Sequence, residues 1–396
     1  MKNSTLKTLV LNSCSILSEG AEALGAALET NTALTCLHLR YNFLEDKGVQ
    51  ALASALKTST SMKILDLYYN ATEVEGAKAL GEALMSNASL TELSLFNNYG
   101  IGSDGAKALA EALRVNTTLK VLNLRCTYLG DGARDVVEAL SENASLTSIN
   151  LHGNDMGIEG AKHIAKMLTR NSTLSTLELG SNGIGKEGAA ELAEALKTST
   201  GLTHLCLAGN EIGEGEQLGV ALQFNTAITM LDLGDNNLGK KADYIAQALL
   251  VNKSLTALHL NDNRIEETTH LGEMLRYNTT LTSLDVSGNN WGSDAKVLLD
   301  AINSNVTLKK LTLVDTDARR KDSELLKQVS GLIIRNTWVS QAVASAVYFL
   351  IGIRRGSLCN GMGDLGRLPR DVVFLIAKHV WASRGDRKWL EALSLQ

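Results

Sequence analysis

LTELSLFNN, Leu90 to Asn98, is followed three residues later by GSDGAKALAEALRVN, Gly102 to Asn116, and the two stretches have different periods. In the first, Leu93 and Leu95 alternate with Glu92, Ser94 and Phe96, the pattern of a strand with one buried face. In the second, Ala106, Leu109, Ala110 and Leu113 stand at i, i+3, i+4 and i+7, the pattern of a helix with one apolar stripe. Ser103 is the expected N-cap, with Asp104 favourable in the first turn. Asn116 is the expected left-handed residue after the helix. One strand–turn–helix–turn unit cannot bury both stripes alone, so units of this kind must stack.

The same unit recurs along the chain, for example as LTCLHLRYN (Leu34 to Asn42) and LSTLELGSN (Leu174 to Asn182). Its first apolar position is occupied at Leu6, Leu34, Met62, Leu90, Leu119, Leu146, Leu174, Leu202, Ile228, Leu255, Leu281 and Leu308, which makes 12 repeats spaced 26 to 29 residues apart. An asparagine closes the strand motif at positions 42, 70, 98, 154, 182, 210, 236, 263 and 289, and Cys14, Thr127 and Thr316 depart from it. Its side-chain amide can satisfy backbone groups that the turn would otherwise leave unpaired.

A period near 28 with a full helix per repeat resembles the ribonuclease-inhibitor-like class of leucine-rich repeats, from Leu6 to about Thr316. The resemblance implies an α/β solenoid, a horseshoe with parallel strands on the concave face and helices on the convex face. The expected domains are residues 1–317, the solenoid, and 318–396, a C-terminal helical extension.

Composition limits the function classes. The chain has 396 residues, 34 of them glycine and only Pro369 a proline, as one regular unit copied many times would have. A net charge of −5 argues against a nucleic-acid partner. Residues 319–396 carry +7, which leaves −12 on the array and marks a boundary near Asp317. Five cysteines without paired spacing suggest reduced thiols and a cytoplasmic setting, and no Cys/His cluster suggests a metal. The N-terminus lacks the continuous apolar run of a signal peptide. No cofactor motif is found. Nothing assembles an acid, a base and a nucleophile, so an enzyme is the least expected class.

The residue after the third apolar position of each strand faces the concave surface. Along the array it reads Asn12, Arg40, Tyr68, Phe96, Arg125, His152, Gly180, Ala208, Gly234, Asn261, Ser287 and Val314. With parallel strands ~4.8 Å apart, Arg40 to His152 would form a stripe roughly 20 Å long. His38, Tyr41 and Tyr69 flank it. Aromatic residues are only 4% of the chain, so their concentration here favours a protein-binding surface made of His38, Arg40, Tyr41, Tyr68, Tyr69, Phe96, Arg125 and His152. The plainer alternative is that these side chains stack on one another to cover an exposed sheet. Further along, Asp232, Asp235, Asp262, Asp285 and Asp315 should make the face negative, while Gly180, Ala208 and Gly234 leave room for close approach.

Two motif types are discounted. His38, His152, His204 and His259 fall on expected strands of different repeats and read as solitary surface residues. The N-x-S/T sequons at Asn87, Asn116, Asn143 and Asn171 share one repeat position, the helix-to-strand turn, which explains them without a glycan.

Residues 319–335 could form a helix. Residues 338–353, WVSQAVASAVYFLIGI, are apolar but shorter than the ~20 residues that span a bilayer, so no transmembrane segment is expected. LPRDVVFLIAKHVW, from Leu368, resembles the opening of an F-box-type helix, and Trp389 follows. That resemblance implies a cullin-ligase adaptor contact through residues 368–389. Fewer residues remain than a complete F-box takes, and the plainer reading is an amphipathic helix begun by Pro369.

The leading expectation is a protein-interaction scaffold with a protein partner on the concave face. Its regularity and attached tail resemble eukaryotic-like effectors of intracellular bacteria, which implies the host cytoplasm. The alternatives are a substrate receptor for a cullin-type ubiquitin ligase and a tail-borne contact with an anionic surface. The tail either closes the solenoid end or carries a second interaction.

Overall fold

The computed structural model describes residues 3–289 and 295–313. Twelve strands lie in one parallel sheet, in chain order: β1 Thr8–Val10, β2 Cys36–His38, β3 Ile64–Asp66, β4 Glu92–Ser94, β5 Val121–Asn123, β6 Ser148–Asn150, β7 Thr176–Glu178, β8 His204–Cys206, β9 Met230–Asp232, β10 Ala257–His259, β11 Ser283–Asp285 and β12 Lys310–Thr312. A helix follows each of the first eleven strands, from Leu17–Leu28 to Ala295–Ser304. This is the leucine-rich-repeat solenoid expected from the period. Curvature follows from spacing: strands sit ~4.8 Å apart and packed helices 8–10 Å apart, so the strand side is the inside of the arc.

Register is set by the repeat itself. Leu37 pairs with Leu65, Leu65 with Leu93, Leu93 with Leu122, and so on to Leu284 with Leu311. The middle residue of each strand from β2 to β11 is buried, and the helical stripe meets it, with Ala106, Leu109, Ala110 and Leu113 all in the core. One continuous core therefore runs the length of the array.

The helix ends differ from the expectation. The helix of the fourth repeat runs Gly102–Val115, so Ser103 lies inside it and the N-cap is Ile101, with no side-chain capping bond. Ile101 is fully buried. A core plug, rather than a capping hydroxyl, sets where this helix starts. Asn116 is not left-handed either; its backbone is extended at φ −74°, ψ 129°.

The left-handed residues lie instead in the strand-to-helix loops, at alternate positions such as Tyr41 and Phe43, Gly153 and Asp155, and Asp235 and Asn237.

Asparagine builds two ladders, not one. In the strand-side ladder Asn98 Nδ2 donates to Leu67 O at 2.9 Å and Leu95 O at 2.8 Å, while its Oδ1 accepts from the amides of Asn70 and Thr72. The second ladder runs through the helix-to-strand turns. Asn87 Nδ2 donates to Leu56 O and Ser59 O, and Oδ1 accepts from the amides of Ser89 and Leu90. Asn116, Asn143, Asn171, Asn225, Asn252, Asn278 and Asn305 repeat this and are buried. The sequon asparagines therefore use and bury the amide a glycan would need.

Two rungs of the second ladder carry serine, Ser59 and Ser199. Ser59 Oγ accepts from the Met62 amide, whereas Ser199 has a buried hydroxyl with no partner. Its amide bonds to Ala195 O as the amide of Asn171 bonds to Met167 O, so an asparagine has a template there. Ser199→Asn should raise stability by about 1 kcal/mol, read as a higher urea midpoint at unchanged m-value. An unchanged or lower midpoint would show that the turn does not admit the amide.

The expected boundary at 317, the tail helices, Val314, Asp315, Thr316, Pro369 and the F-box-like stretch 368–389 lie outside the described residues.

Candidate functional site

Each concave side chain is placed by the pleat. The middle leucine of the strand turns inward, so its two neighbours and the residue three beyond the strand's middle turn outward. In the second and third repeats these outward residues are Cys36, His38 and Arg40, then Ile64, Asp66 and Tyr68.

The structure brings the expected stripe together. Tyr68 and Phe96 stack with ring centres 4.4 Å apart and planes 5° from parallel. The Arg125 guanidinium lies over the other side of the group, 5.0 Å from the Phe96 centroid. Tyr41 meets Tyr68 edge-on at 4.7 Å, and its hydroxyl donates to the Tyr68 hydroxyl at 2.6 Å. Tyr69 lies 5.1 Å from Tyr41. His152 stands beyond Arg125, past the end of β6 rather than on it, and its ring lies against Gly180, where a methyl group would collide with it.

The space expected over the small residues is therefore partly filled. His152 covers Gly180, and Asn261 covers Gly234.

Several members of this surface were not singled out from the sequence. Asp66 is only 3% exposed, and its carboxylate accepts from both Arg40 Nε and His38 Nδ1. Phe43 packs edge-on to Tyr69 at 6.4 Å, and Tyr99 and Tyr128 form a second pair at 5.1 Å. All three stand one residue after the strand-ladder position, so aligning the repeats by that position would have found them. Seven of the ten described aromatic residues (Tyr41, Phe43, Tyr68, Tyr69, Phe96, Tyr99 and Tyr128) thus lie in the second to fifth repeats on one edge of the concave face. Phe43, Tyr99 and Tyr128 are 53%, 44% and 62% exposed, so the band faces solvent.

In this band the left-handed loop positions carry large aromatic side chains. The residue before the strand-ladder position is left-handed in repeat after repeat. It is Gly153, Gly209 and Gly288 in three repeats, Asn97, Asp235 and Asp262, types that tolerate this region, in three others, and Ser13, Cys126 and Ser181 in three more. In the second and third repeats it is Tyr41 at φ 57° and Tyr69 at φ 54°. A bulky side chain there costs roughly 1 kcal/mol that glycine avoids.

The histidines are not solitary. His38 bridges Cys36 and Asp66, with Nε2 3.1 Å from Cys36 Sγ and Nδ1 3.2 Å from Asp66 Oδ2. His259 Nδ1 lies 3.4 Å from Asp232 Oδ2. Parallel pairing in register puts these side chains beside each other although they are 27 or 28 residues apart. The Cys–His–Asp row has the order of a nucleophile, base and orienting acid. Burial and the charges of Glu92 and Asp66 push the Cys36 thiol up, which keeps it protonated rather than poised as a thiolate. Burial drives the Cys206 thiol higher, to about 12. Among the described residues no group of His, Cys, Asp and Glu could hold a metal ion.

In the acidic half, Asp232 is paired with a histidine. Burial works to raise the Asp232 carboxyl, but hydrogen bonds from His259 and the Gly234 amide leave it below its usual value. His259 is raised by its bond to Asp232 against burial. His152 is lowered, by burial first and then by the Arg125 charge.

These two histidines bend stability in opposite directions. The raised His259 stabilises the fold below its unfolded pKa, and that contribution is lost as pH rises through the folded value. The lowered His152 contributes above the unfolded pKa, and that is lost as pH falls through the folded value. Between about pH 5 and 8, His259→Gln should make the melting temperature climb more with pH than wild type, and His152→Gln should make it climb less. Parallel profiles for the three proteins would refute the assignment.

Seven segments, residues 2–25, 30–53, 86–110, 142–165, 170–193, 251–267 and 277–293, match the Leucine Rich repeat family model. No curated protein matches the chain. Solved structures similar to it include the leucine-rich repeat-containing protein LegL7 from Legionella pneumophila, at 22% identity over 63% of this chain and 94% of that one, TM-score 0.41. Another is the complex of Rad7 and Elc1 in yeast, at 17% identity over 73% of this chain and 77% of that one, TM-score 0.45. At these scores neither structure bears on what the chain does.

Proposed function

We propose that this leucine-rich-repeat chain is a protein-interaction scaffold whose contact surface is the aromatic and basic band of the second to sixth repeats. His38, Arg40, Tyr41, Tyr68, Tyr69, Phe96, Arg125 and His152 form it, with Phe43, Tyr99 and Tyr128 at its edge.

The observation that carries this reading is the gathering of seven of the ten described aromatic residues on one edge of the concave face, two of them, Tyr41 and Tyr69, in left-handed backbone where three other repeats use glycine. A surface that only needed covering could be covered from unstrained positions. Strain kept at an exposed site is the usual mark of a side chain retained for what it presents. Tyr and Arg are also the types that dominate binding hot spots.

Two finer readings go with it. The period near 28 with a helix per repeat supports the ribonuclease-inhibitor-like subtype. The four described cysteines are free, which fits a cytoplasmic setting, host cytoplasm if the regularity and tail mark a bacterial effector.

The test compares affinity capture from host-cell lysate by wild type and by Tyr68→Ala/Phe96→Ala. Proteins held by wild type and lost by the double variant support the site. Retention of every partner by a folded double variant would remove it.

A further inference from the structure

Two arginines reach the concave face within the band, and they differ in one respect. Arg40 is neutralised by Asp66, which is buried against it. Arg125 makes no hydrogen bond from its guanidinium and no ion pair among the described residues, and its Nε is buried without a partner. Its guanidinium lies over the face of Phe96.

The outward residues of its own strand and of the next one include no carboxylate, and neither Glu92 on β4 nor Glu178 on β7 pairs with it. β5 and β6 present Val121, Asn123, Ser148 and Asn150, followed by His152. Glu92, at the far end of β4, is four residues from Phe96, roughly 13 Å along a strand. The positive charge is felt nearby, since it helps to hold His152 neutral. A partly buried guanidinium without an acceptor leaves donors unsatisfied, which a partner's anionic group would relieve.

We infer that the segment seated on the aromatic band is a stretch of protein bearing one carboxylate side chain, which pairs with Arg125, beside an apolar side chain that lies on Tyr68 and Tyr41. The inference rests on the proposed contact surface and names the chemistry of its occupant. The charge pattern favours a single carboxylate over a polyanion. One uncompensated arginine is present in the stripe, and Glu92 and Glu178 on the same face would repel a run of phosphates. The stacked rings beside the guanidinium match an apolar side chain next to the acid.

The experiment selects phage-displayed random peptides on the immobilised full-length chain, then measures binding of the enriched peptides, made synthetically, to variants. Enrichment of Asp or Glu next to an aromatic or aliphatic residue is expected. Arg125→Gln should weaken these peptides about tenfold or more, Arg125→Lys less, and Arg125→Glu should favour peptides with Lys in place of the acid. Arg125→Gln removes no hydrogen bond, so its melting curve should match wild type and exclude misfolding. Peptides that ignore Arg125 but are lost with Tyr68→Ala/Phe96→Ala would overturn this inference and leave the contact surface standing. Peptides that ignore both, or no enrichment at all, would overturn both.

Discussion

Asn98→Ala should lower stability by about 4 kcal/mol, as should loss of any equivalent rung of the strand-side ladder. Asn98 is fully buried. Its removal strands the amides of Asn70 and Thr72 and the carbonyl of Leu67, and it leaves Leu95 O with only the 3.3 Å bond from the amide at position 98. Each buried group left without a partner costs about 1–3 kcal/mol, and the small side chain of alanine leaves little room for water to take over.

The loss falls between two repeats, so it should also weaken their coupling. Denaturant unfolding should then broaden into two steps as the N-terminal repeats separate from the rest. Thr127 shows how a milder break is tolerated. Its hydroxyl donates to Leu124 O and reaches Asn154 Oδ1, so part of the rung survives. A cost for Asn98→Ala below about 1 kcal/mol would mean that the ladder is not what joins the repeats.

Phe96→Ala should cost a bound partner about 2–3 kcal/mol, a weakening of roughly 30- to 150-fold. Phe96 lies between the Tyr68 ring and the Arg125 guanidinium, so its loss removes a stack and frees the cation at once. The side chain is half-buried, and the stability cost should be smaller than for a core leucine.

The decisive companion is Tyr69→Gly. Glycine relieves a left-handed backbone while giving up the ring contacts to Tyr41, Tyr68 and Phe43. Stability should therefore stay within about 1 kcal/mol of wild type. Partner binding, followed by titration calorimetry or biolayer interferometry, should fall at least tenfold. Undiminished binding in both variants would show that the rings merely cover the sheet.

Much of this protein follows from its sequence alone, because period is local information. The alternation around Leu93 repeats 12 times and a helical stripe like that of Ala106 and Leu113 follows it 11 times, and stacking is the only way to bury both. That is enough to place the middle residues of β2 to β11 in the core and to put Arg40, Tyr68, Phe96 and Arg125 in one outward row.

What needed the tertiary structure is whatever depends on one repeat touching the next. The His38–Asp66 and His259–Asp232 pairs join residues 28 and 27 positions apart, and only parallel pairing in register brings them to 3.2 and 3.4 Å. The second asparagine ladder was hidden because its residues read as sequons or turn caps. Its meaning lies in carbonyls of the preceding repeat. Local rules misplaced the helix start at Ser103 because burial of Ile101 outweighs a capping hydroxyl.

The same distinction applies to the candidate site. Its residue types were legible from repeat position. The backbone strain under Tyr41 and Tyr69, and the contrast between a neutralised Arg40 and an unpaired Arg125, exist only in the folded chain. Both arise from neighbours about 28 residues away in sequence and one strand away in space.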